Sequence, residues 1–96
     1  MTDEPSVERL SDHDYREINR ALGTYNILGL YLKNKYVTER DVINLWAEPV
    51  YNAWRASLPF IVHREHNHGF RPYRYFEEMA EKCQAEIERR KASISS

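Results

Sequence analysis

The amino-acid sequence predicts an all-α protein: a small bundle of three main helices plus one short helix. Three observations lead there. Apolar residues recur at alternating steps of three and four along most of the chain. No stretch alternates every second residue, as a half-buried strand would. The four prolines and three glycines are few, and most stand where helices would begin, bend or end.

The first helix is expected to start at Ser11 or Asp12. Either side chain can cap it, and acids follow in the first turn, where the positive helix end favours them. Tyr15, Ile18, Leu22, Tyr25, Gly29, Leu32 and Tyr36 then form an a/d stripe over three heptads, widened by Ala21 and Leu28. Gly29 lies on that stripe, where a missing side chain would let another backbone approach. Asn34 and Lys35 weaken the helix end.

Thr38 is the cap expected for a short helix over residues 38–48, with Glu39 and Asp41 in its first turn. Val42, Ile43, Leu45 and Trp46 would supply its apolar side. Pro49 is expected to end it and open a third helix over residues 49–66, since proline is harmless in a first turn and disruptive further in. Val50, Trp54, Leu58, Ile61 and Val62 make its stripe, with Ser57 interspersed. Pro59 falls inside, where its ring removes one backbone bond and crowds the preceding turn, so a kink is expected there. His66-Asn67-His68 ends this helix, and Gly69 is the candidate C-terminal cap. Pro72 fits the first turn of the last helix. Tyr73, Phe76, Ala80, Cys83, Ile87 and Ile94 form its stripe, with Arg90 interrupting it near a frayed end.

The expected core is Leu22, Tyr25, Leu32, Leu45, Trp46, Val50, Trp54, Leu58, Ile61, Phe76, Ala80, Cys83 and Ile87. The expected organisation is a mobile acidic arm at 1–10, one helical domain at 11–92 and a disordered tail at 93–96. Ninety-six residues support one domain.

Composition narrows the function classes. Fourteen Lys+Arg stand against fifteen Asp+Glu, a net charge of −1 with neutral histidines. Such a balance gives no general attraction to nucleic acid or to an anionic membrane. Residues 33–75 are mildly basic, with seven bases against four acids, which is short of a polybasic patch. No apolar run approaches the ~20 residues of a membrane span, so no membrane insertion is expected. The acidic N-terminus does not read as a signal or transit peptide. A single cysteine, Cys83, excludes an intrachain disulfide and suits a reducing, cytoplasmic setting. Phosphate-loop, CxxC, HExxH and GxSxG motifs are missing.

Four features stand above this background. His63, His66 and His68 lie within six residues, and three imidazoles can bind zinc or another divalent transition metal. The blander reading is a solvated helix end whose negative pole favours histidine. Arg71-Pro72-Tyr73-Arg74-Tyr75-Phe76 alternates arginine with aromatics, as base-stacking surfaces do. The heptad claims Tyr73 and Phe76, which leaves too little for a binding groove. Twelve aromatic residues are many for so small a core; Tyr31, Tyr51, Phe60, Phe70 and Tyr75 fall off or at the border of the stripes and are candidate interaction residues. The carboxylates of the last helix alternate with bases at helical spacing, as on a solvated face. Cys83, on an apolar stripe, reads as core and not as a nucleophile.

One further pattern resembles a known family. Lys35-Tyr36-Val37-Thr38-Glu39 and Asp41-Val42 are followed by Trp54, Leu58-Pro59-Phe60-Ile61, Arg64, Tyr75-Phe76-Glu77 and Met79-Ala80-Glu81. That order is similar to an uncharacterised bacterial all-helical domain family, a domain of unknown function, over residues 25–86. In many of its members the domain follows N-terminal membrane helices. This chain shows no such segment, so membrane association is not carried over. The resemblance implies a helical fold and the Pro59 kink; it carries no catalytic or binding residues.

Together these readings lead to a non-enzymatic protein–protein interaction module, self-associating as a homodimer or binding another protein. The alternative is transition-metal binding or sensing through His63, His66 and His68; otherwise no cofactor is expected. A small hydrolase using a histidine and a carboxylate has no positive support, and nucleic acid comes last.

Overall fold

Ser11 is extended at ψ 161° and its hydroxyl accepts the Asp14 amide at 3.1 Å, which starts helix α1, Asp12–Lys33. Helices α2, Glu39–His68, and α3, Arg74–Ser95, follow in a computed structural model that describes residues 10–95. These described residues contain no strand. The expected arm at 1–10 lies outside them except for Leu10, which packs against the core.

Helix α1 ends in a Schellman turn. Tyr36 N–H bonds Tyr31 O at 2.8 Å and Lys35 N–H bonds Leu32 O at 3.1 Å. Lys35 holds the left-handed position at φ 63°, a place usually given to glycine. Gly69 fills the equivalent role after α2 at φ 76°.

The expected short helix and third helix are one element. α2 runs unbroken from Glu39 through Pro49 and Pro59 to His68. Both proline rings are exposed, and the carbonyls they deprive of a donor, those of Leu45 and Arg55, lie on the same solvent side. Thirty residues at ~1.5 Å each give about 45 Å, matching the 43 Å long dimension of the molecule.

A single helix fixes a single phase, and this corrects two core assignments. Ile43, Ala47, Val50, Trp54, Leu58 and Ile61 form one inward stripe. Leu45, nine residues before Trp54, sits about 180° around the helix from it at ~100° per residue. Leu45 and Trp46 are therefore 73% and 53% exposed. Val42, Ala47, Phe60 and Met79 take their place in the core; Tyr25, Leu58 and Ile87 are partly buried.

α3 begins at Arg74 and not at Pro72, because Tyr73 has φ 62° and cannot be helical; buried Pro72 belongs to the connecting loop. Tyr73 O accepts the Glu77 amide at 3.0 Å, closing the first turn. The tail expected from residue 93 is helical to Ser95, since no proline or glycine follows Pro72 to stop it.

Helix α3 docks on α1 through two residues a turn apart. Asn26 Oδ1 accepts both the Tyr75 and the Phe76 amide, each at 3.0 Å, so α1 supplies the N-terminal cap of α3. At Gly29 the backbones meet: a Cβ there would press on the Tyr75 carbonyl, 2.6 Å from its carbon. Below this crossing, Phe76 stacks on Tyr25 at 4.8 Å and meets Trp54 edge-on at 5.2 Å. Asn26→Ala is expected to cost about 2 kcal/mol, because two helix-end amides lose their acceptor at a partly buried site. A urea titration checks this; Asn26→Asp, which keeps an acceptor, should recover most of the loss.

A second polar tie lies beside it. Arg64 Nη1 donates to Asn19 Oδ1 at 2.6 Å and to the Tyr73 hydroxyl at 2.7 Å, while that hydroxyl donates to Asn19. Burial pushes the Tyr73 pKa up, against the pull of Arg64, which keeps the hydroxyl a donor. This tie offsets part of the strain of the left-handed Tyr73 backbone.

Candidate functional site

α1 and α2 each pack chiefly on α3 and touch one another sparsely. The space between their outer faces is an apolar groove of about 630 Å³. Thr24, Tyr25 and Leu28 of α1 form one wall, Val42, Leu45, Trp46 and Val50 of α2 the other, and Val37 and Thr38 of the turn close the end. Asp41, in the first turn of α2, is the one charged residue in this lining among the described residues. Tyr31, 45% exposed, continues the α1 strip begun by Thr24 and Leu28 and meets Tyr36 edge-on at 5.8 Å. The groove has the volume of a small-ligand or side-chain pocket. Two large apolar groups, Leu45 and Trp46, stand exposed at its edge.

The candidate interaction residues do not form one surface. Tyr31 is exposed beside the groove. Phe70 is 64% exposed in the α2–α3 loop, 6.3 Å from the His68 ring. Tyr51 is half-buried beneath the Arg55 guanidinium. Tyr75 is half-buried under the Lys33 ammonium, 5.3 Å from its ring centre. Phe60 is buried at 4% exposure against Tyr15, so it is a core residue and not a surface one. The α2 phase that expels Leu45 does not expel Phe60, because α1 extends over that side of α2 at Tyr15.

The histidines do not converge. At ~100° per residue His63 and His66 lie about 60° apart on one face, while His66 and His68 point about 160° apart. His63 Nε2 lies 3.0 Å from Asn67 Nδ2. Among the described residues no three His, Cys, Asp or Glu side chains are placed to hold a metal ion. Cys83 is fully buried, and burial pushes its thiol up to about 11 against the lowering effect of Arg90, so it stays protonated near neutrality.

Leu45 and Trp46 were legible as apolar but not as exposed. Asn19, Asn26 and Arg64, which join the helices, carry no local signal beyond the seven-residue spacing of the two asparagines beside the apolar stripe.

Among the described residues no helix is long and apolar enough to cross a membrane. No curated protein and no solved structure matches the chain. A family model described as Domain of unknown function (DUF4760) matches residues 2–83, which takes in α1, α2, the groove between them and the start of α3. The chain therefore belongs to the DUF4760 family.

Proposed function

We propose that the domain is a non-enzymatic protein–protein interaction module that self-associates through the apolar groove. The supporting observation is the pair Leu45 and Trp46, exposed on the rim of a groove they help to line. In a two-fold dimer the Trp46 edge of each copy enters the groove of the other, and Tyr31 extends the contact. Tryptophan at such a position buries much apolar area with little loss of rotamer freedom. An isologous pairing of this kind needs no second protein. A lone, buried cysteine fits work in a reducing cytoplasm.

Light scattering behind size exclusion, at two concentrations, tests the proposal. The expected result is twice the chain mass at the higher concentration. Leu45→Glu is expected to weaken the dimer by about 2 kcal/mol while leaving the thermal melt of the monomer nearly unchanged, because the residue is exposed. A wild-type monomer at both concentrations, or a Leu45→Glu dimer like the wild type, would remove it.

A further inference from the structure

Opposite the groove, across the shared wall of Val37 and Thr38, lies a second cleft of about 600 Å³. Its apolar lining is aliphatic and thioether: Leu32, Val37 and Met79, with Gly29 beside them. Around this floor stand three ammonium groups and two carboxylates. Lys33 pairs with Glu78 at 3.7 Å, and Lys82 pairs with Glu39. Lys35 has no ion-pair partner among the described residues. The cleft thus carries one uncompensated positive charge in a chain of net charge −1.

The backbone underlines that charge. Lys35 occupies the left-handed position of the Schellman turn, where glycine would be unstrained. A lysine here costs stability, and it belongs to the lining of the cleft.

We propose that this cleft binds an alkyl carboxylate, with the chain on Leu32, Val37 and Met79 and the carboxylate at Lys35. The aliphatic floor accepts an alkyl body, and the lysine without an ion-pair partner favours an anion over a cation. The volume lies within the usual range of small-ligand sites.

The experiment is a ¹⁵N–¹H titration of the full chain with sodium decanoate below its micelle threshold. Expected are saturable shifts at Gly29, Lys35, Val37, Thr38 and Met79, with none from decyltrimethylammonium bromide. Lys35→Gly is expected to melt higher than the wild type and to bind decanoate about tenfold more weakly, so the loss cannot come from unfolding. Lys35→Glu should lose binding altogether, and Lys35→Arg should keep it. Shifts centred on Leu45 and Trp46, a titration that never saturates, equal binding of the cationic amphiphile, or wild-type affinity in Lys35→Gly would each overturn the proposal. These readouts do not depend on whether the groove across the wall forms a dimer.

Discussion

Trp54→Ala is expected to destabilise the protein by about 3–5 kcal/mol, the range for emptying a large aromatic site in a core. Trp54 lies mid-way along α2, 8% exposed, where α2 meets α3. Its ring is edge-on to Phe76 at 5.2 Å, and the Arg71 guanidinium lies 5.9 Å from its centre. Truncation removes the aromatic pair, the buried area and the surface on which Arg71 rests. Arg71 also pairs with Glu77 at 3.3 Å and Glu65 at 3.5 Å, and these pairs keep part of the anchor of the loop entering α3. For a domain of this length each kcal/mol lowers the melting temperature by about 4–8 °C. A fall of roughly 12–40 °C in a thermal melt is the expected reading, and a melt that overlays the wild type would place Trp54 outside the core.

The second large effect comes from adding one methyl group. Gly29→Ala is expected to cost about 3 kcal/mol, at the upper end for overpacking, because the atoms in the way belong to the Tyr75 and Phe76 backbone. Those atoms cannot rotate aside. To admit a Cβ, α3 must shift away from α1, and that shift pulls both amides from Asn26. Gly23→Ala supplies the control. Nothing lies within 4 Å of a Cβ at Gly23, and removing a glycine from a helix interior stabilises it by roughly 0.5–1 kcal/mol. The same substitution, six residues apart on one helix, is expected to change stability in opposite directions in paired urea titrations.

The α1 stripe was readable because its seven-residue spacing continues without a breaker, and Ser11, Gly29 and Gly69 act as their positions imply. α2 was misread because Pro49 and Pro59 look like punctuation in a sequence. Their rings face solvent, where the two missing bonds cost least, so the helix passes through them. Treating Pro49 as a boundary reset the phase, and that reset put Leu45 and Trp46 in the core and left Ala47 out. The error hid the groove, since its rim is built from those two residues. Phe60 was misassigned for the complementary reason: it lies off the main α2 stripe, yet it is buried in the core with Tyr15 packed on it. The roles of Asn19 and Asn26 depend on partners 54 and 50 residues further along the chain, beyond the reach of any local pattern. Of the histidine cluster, His63 and His66 share a helix face, and the rotation of the helix turns His68 away from them.

The sparse contact between α1 and α2 has a consequence for the order in which the fold assembles. A nascent chain that has released only its first two helices holds two apolar faces with little to bring them together. Asn26 waits for amides 49 and 50 residues downstream, and Gly29 waits for the same turn. Closing that span is an entropic step that a local hairpin would avoid, so arrival of α3 sets the pace of folding. Until residues 75 and 76 leave the ribosome, α1 and α2 are a pair of tethered helices, and α3 turns them into a domain.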